Sequence, residues 1–117
     1  MKIIKDKISL GELRSMAEDS FGNLVKAVVD VEKEIMALDA ELHADEEALL
    51  LESGSKQENL WGINIYPEEK RENFIEFDSM INLRPGQGNR TLGVDSSAIR
   101  EKIKKIAHKL IKDGLPT

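Results

Sequence analysis

The residues best suited to chemistry lie between positions 84 and 91, which read Arg-Pro-Gly-Gln-Gly-Asn-Arg-Thr. Arg84 and Arg90 offer forked guanidinium donors that match a carboxylate or phosphate in two parallel hydrogen bonds. Gly86 and Gly88 can take positive φ and turn backbone N–H groups toward an anion, leaving Gln87 and Asn89 to read a remaining polar edge. Asp78 and Asn82 precede the loop on an expected strand. The chemistry implied is binding of a small anionic or phosphorylated ligand by Arg84, Gln87, Asn89 and Arg90, beside Asp78 and Asn82. The segment has neither the spacing nor the lysine of a phosphate-binding P-loop, so that mechanism does not transfer. The structural alternative is a Pro-Gly turn whose arginines pair with the domain's many acids.

A second constellation is His43-Ala-Asp45-Glu46-Glu47, in which His43 and Glu47 share a helix face and Asp30 or Asp78 would complete a divalent-metal site for a hydrolase. It lacks the second histidine of His-Glu-x-x-His, and helix capping with an acidic surface explains the same residues. Acid/base chemistry is open wherever Asp30 and Asp78 meet. Ser53, Ser55 and Ser79 have no identifiable base and orienting acid, so no catalytic residue is assigned. The chain has no cysteine, which excludes disulfides, thiolate catalysis and cysteine-bound metal centres. No cofactor is expected.

These residues need a frame. With 117 residues, 40% hydrophobic and 33% charged, the chain fits one globular domain over residues 1–117, with 113–117 as a frayed tail. Ile3 and Ile4 suggest a short strand. Ser9 and Glu12 have capping-box spacing ahead of Leu10, Leu13, Met16 and Ala17, and Gly22-Asn23 stops that helix. Val25, Ala27, Val29 and Val31 alternate with Lys26, Val28, Asp30 and Glu32, as in a strand buried on one face. Residues 33–43 hold either its continuation or a second strand after a turn near Lys33. Ala44 to Leu51 favours helix, ended by Ser53-Gly54-Ser55. Trp61, Ile63 and Ile65 mark a strand closed by Pro67. After a charged turn, Ile75, Phe77, Ser79, Ile81 and Leu83 alternate with Glu76, Asp78, Met80, Asn82 and Arg84 as the partner of a hairpin. Asp95 or Ser96 caps a last helix with Ile99, Ile103, Ile106 and Leu110 as its stripe. The order predicts an α+β fold: a single two-layer domain, with a mostly antiparallel sheet and about three helices packed on one face.

In that frame the opposite sheet face carries Asp30, Glu32, Asn64, Tyr66, Glu76, Asp78, Asn82 and Arg84. Asp30, Asn64, Asp78 and Asn82 are poor strand formers, and their local cost calls for packing or function to offset it. Charge divides along the chain: residues 84–117 hold 8 basic and 3 acidic side chains out of totals of 17 and 22. The second reading is therefore a protein interaction or regulatory module, its acidic N-terminal part pairing with the basic last helix of another copy or partner. The chain lacks the basic aromatic platform of single-strand nucleic-acid binders, so nucleic acid is not an expected partner. Charge interrupts the N-terminus too soon for a signal-peptide apolar region, and no apolar run reaches about 18 residues. No membrane association is expected, and the default location is the cytoplasm.

Several stretches carry a likeness: Val28-Val29-Asp30, His43 to Glu47, Gly54-Ser55-Lys56-Gln57, Leu60-Trp61-Gly62-Ile63-Asn64, Asp78 to Pro85 and Gly88-Asn89-Arg90. Over nearly its whole length the chain resembles a family of small prokaryotic proteins catalogued as a domain of unknown function. The resemblance implies no activity and supplies no catalytic residue.

Overall fold

The computed structural model describes all 117 residues. The elements in order are β1 (Lys2–Ile4), α1 (Leu10–Asp19), β2 (Val25–Asp30), β3 (Ile35–Leu38), α2 (His43–Glu52), β4 (Leu60–Ile65), α3 (Arg71–Phe74), β5 (Ile75–Glu76) and α4 (Ser97–Leu110). The strands form one five-stranded antiparallel sheet in the order β1-β3-β2-β4-β5. The fold is α+β, and the local signals explain most of it. Ser9 Oγ accepts the Glu12 N–H at the start of α1, Ser96 Oγ accepts the Ile99 N–H at the start of α4, and Gly22 takes φ +95° after α1. The turn between β2 and β3 is closed by Asp30, whose Oδ1 accepts the N–H groups of Glu32 and Lys33.

The helices cover both faces of the sheet, rather than one. On one side α1 and α4 pack on Val25, Ala27, Val29, Met36, Leu38, Trp61, Ile63 and Ile65 in a core of 21 buried residues. On the other side Leu49 and Leu50 of α2 meet Val28, Ala37 and Leu60, a core of only 4 buried residues. Its small size follows from the stripe α2 turns inward, which is His43, Glu46 and Leu50, two polar residues and one apolar. Leu115 is buried, and its N–H donates to His108 Nδ1, so the chain is docked as far as that residue.

The expected long strand over 75–84 is also different. Only Ile75 and Glu76 pair with β4 through the backbone, and residues 80–82 and 85–87 form single 3-10 turns. Beyond Asn64, the outer edge of β4 is closed by side chains instead. The Asn82 carboxamide accepts from Gly62 N–H at 2.8 Å and donates to Gly62 C=O at 3.0 Å, occupying both groups a neighbouring strand would take. Arg84 Nη2 donates to Leu60 C=O at 2.6 Å, and its guanidinium stacks 4.2 Å from the Trp61 ring centroid. Gly62 is needed here, because a Cβ on it would lie 2.5 Å from Ser79 Cβ.

Candidate functional site

The residues expected to bind an anion are placed as follows. Asn82 and Asn89 are buried, and Asn89 ties the loop together by donating to the carbonyls of Asn82 and Gly93 and accepting the Asp95 N–H. Arg84 donates to the Gln57 and Leu60 carbonyls, and Gln87 donates to the Glu58 carbonyl. Arg90 is exposed and its side chain makes no hydrogen bond or ion pair. Asp95 accepts from the Arg90 N–H and from Thr91 Oγ1, and these hydrogen bonds hold its carboxyl below the usual aspartate range. The segment is thus a brace that clamps the β4 edge, with Arg90 as its one uncommitted arginine. Asp78 lies apart from this knot, upstream on the α2 side.

Asp78 belongs to a cleft of about 360 Å³ between the first turn of α2 and the 78–81 segment, with Lys26, His43, Asn64 and Ser79 around it and Leu42, Met80, Ile81 and Leu92 along its walls. The sheet register builds its floor. Lys26 on β2 stands opposite Asn64 on β4 in the floor, and Glu76 on β5, opposite Asn64 from the far side, lies outside the cleft and continues the polar row across three strands. Directly opposite side chains have Cβ atoms about 5 Å apart, close enough to address one ligand.

Each floor group has a defined hydrogen-bonding state. Asn64 is 7% exposed and its Nδ2 donates to Glu76 Oε1 at 2.9 Å and more weakly to the Asp78 carbonyl, while its Oδ1 is buried with no partner. With the amide protons committed to acceptors, the orphan is an acceptor awaiting a donor. His43 Nε2 lies 2.8 Å from the Ile63 carbonyl and therefore carries the proton. Burial pulls the His43 pKa down, against the raising effect of that hydrogen bond. The ring is neutral at pH 7, leaving Nδ1 as a second acceptor with no protein donor. Lys26 makes no hydrogen bond or ion pair and rests its ammonium 5.0 Å from the Phe21 ring centroid. At the mouth, Leu42 and Met80 are 56% and 73% exposed.

Four larger depressions, of about 480 to 560 Å³, lie elsewhere, one of them lined by Glu68, Glu69, Glu72 and Glu76 and another by Arg71, Lys104, Lys105 and His108. None of the four is lined by a residue with a buried polar atom lacking a partner. The smaller cleft is the better candidate on that ground. His43 and Glu47 do not join a third ligand, since no group of three or more histidines and carboxylates is placed to hold a metal. Asp30 and Asp78 do not meet: Asp30 pairs with Leu60 in the register and accepts from Ser55 Oγ at 2.6 Å, at the other end of β2 from Lys26.

Lys26, Leu42, Met80 and Leu92 were not singled out by sequence reasoning, because a lysine in a strand and scattered apolar residues are ordinary surface features. Asn64 did leave a signal, as a poor strand former inside an apolar run.

Fold and cleft together define a small α+β domain whose sheet carries a partly polar cleft beside the clamped outer side of β4. The chain belongs to the family described as Protein of unknown function (DUF5674), whose model matches residues 2–110. No curated protein sequence and no solved structure matches the chain. No helix is long and apolar enough to cross a membrane.

Proposed function

We propose that this domain binds a small molecule in the cleft between α2 and residues 78–81, and that the Arg84–Arg90 loop is the scaffold holding the outer wall of that cleft. The observation that carries the reading is that Asn64, a residue lining the cleft, has a buried Oδ1 with no hydrogen-bond partner. A buried polar atom without a partner costs roughly 1–3 kcal/mol, and a ligand donor would recover that cost. The apolar walls supply the non-directional part of affinity and the few polar groups fix orientation, the usual division of labour in ligand sites.

The test is a thermal-shift screen of amines, amides, amino acids, carboxylates and phosphates, with each hit repeated on Met80→Arg and Arg90→Ala. Ligand binding to the folded state raises stability by mass action. The expected result is a shift lost in Met80→Arg, which blocks the mouth, and kept in Arg90→Ala. Loss in Arg90→Ala alone would place the ligand on the loop as an anion and overturn the cleft reading.

A further inference from the structure

We infer that the cleft selects a zwitterion, specifically a free α-amino acid with an apolar side chain; this rests on the cleft being the ligand site. The charged and polar groups along the floor point to such a ligand. Lys26 flanks Asn64 from β2, while Asp78, whose backbone carbonyl lies 3.4 Å from Asn64 Nδ2, flanks it from the opposite side. The two side chains have opposite charge and make no ion pair with each other or with any other group. Asn64 and His43 line the cleft with them, Asn64 Oδ1 buried without a partner and His43 Nδ1 accepting no hydrogen bond from the protein.

A ligand with one charge would satisfy one side and leave the other charge beside it unanswered. An α-amino acid answers both. Its ammonium, with three donors, reaches Asp78, Asn64 Oδ1 and His43 Nδ1, and its carboxylate turns to the Lys26 ammonium. The side chain then lies along Leu42, Met80, Ile81 and Leu92. An ammonium supplies a donor to each of these acceptors without bringing an acceptor that would repel their lone pairs, and its three donors match the three acceptors in number.

Calorimetric titration of the wild-type protein with L-leucine, L-methionine and L-phenylalanine tests the assignment, with the matching amino-acid amides and N-acetyl amino acids as arms that each remove one charge. At least one free amino acid is expected to bind, with both blocked forms at least tenfold weaker. In Lys26→Met, the free acid and its amide should bind within about threefold of each other, because the carboxylate has lost its partner. The comparison of free with blocked amino acids is made on unaltered protein, so it does not depend on any variant folding. Equal affinity for free and blocked forms would overturn the proposal. Absence of amino-acid binding, while another compound from the screen binds in a Met80-dependent way, would overturn it and leave the cleft reading standing. Absence of any Met80-dependent ligand would overturn both.

Discussion

Asn82 illustrates how much one side chain does here, since its carboxamide serves as a replacement strand for Gly62 and also donates to the Leu92 carbonyl at 3.0 Å. Asn82→Ala would leave the Gly62 N–H and C=O buried without partners. Urea unfolding should show a loss of roughly 2–4 kcal/mol, because each stranded buried group costs about 1–3 kcal/mol. A loss below about 1 kcal/mol would mean that the edge of β4 is closed in another way. The residues around it explain why this segment reads as a strand in the sequence. Ile75 and Phe77 pack on the larger core, but Ile81 packs on the smaller one across the sheet, Ser79 presses against Gly62 and Leu83 is exposed, so the alternation does not mark a single strand face. What the alternation does not encode is which groups bond the neighbour: past Glu76 the contacts come from side-chain amides and a guanidinium rather than from the backbone ladder.

At the scale of the element, α2 is docked through two titratable groups whose pH dependences oppose each other. Glu46 is fully buried, its Oε2 accepts the Ala40 N–H, and its Oε1 has no partner. Burial pushes its pKa up to about 9 from 4.5, so the folded protein holds a proton that the unfolded chain releases. That stabilising contribution is complete below pH 4.5 and is lost as pH rises toward 9. His43 has the opposite sign: its pKa is lowered by burial, so its contribution is present above 6.5 and is lost as pH falls below that value. Glu46→Gln keeps an acceptor for Ala40 without the titration. At pH 8 it should stabilise the domain by roughly 1–3 kcal/mol and flatten the fall in melting temperature between pH 5 and pH 9. An unchanged alkaline slope would show that Glu46 is not the group responsible. The same two residues hid α2's second-face position from the sequence. An amphipathic helix announces its buried stripe by apolar period, as Ile99, Ile103, Ile106 and Leu110 do in α4. In α2 the inward positions are His43, Glu46 and Leu50, while Leu42 and Leu51 face solvent.

Across the whole molecule, the charge division along the sequence is partly neutralised inside one domain: Lys109 of α4 pairs with Glu34 after β2 at 3.1 Å, and Lys104 pairs with Glu101 on the same helix. Both pairs are exposed, and exposed pairs contribute about 0–1 kcal/mol. Lys109→Ala should therefore change the unfolding free energy by less than about 1 kcal/mol, and a larger loss would indicate that the acidic and basic parts are held together electrostatically. The α+β class, the capped helices and the antiparallel sheet were legible because each depends on local period and capping. The cleft was legible only in fragments, Asp78 and Asn64 from strand propensity and His43 from its acidic neighbours. What unites them is a register, Lys26 opposite Asn64 opposite Glu76, and the point at which α2 stops covering the sheet. Neither is a property of any local stretch of sequence. The most direct test of the account is therefore a nitrogen-15 NMR titration with the first ligand the screen yields, following the side-chain amide signals of Asn64, Asn82 and Asn89 together. Movement of Asn64, with Asn82 and Asn89 unmoved, is the predicted result. Movement of Asn82 and Asn89 with Asn64 silent would put the ligand on the Arg84–Arg90 loop and contradict it.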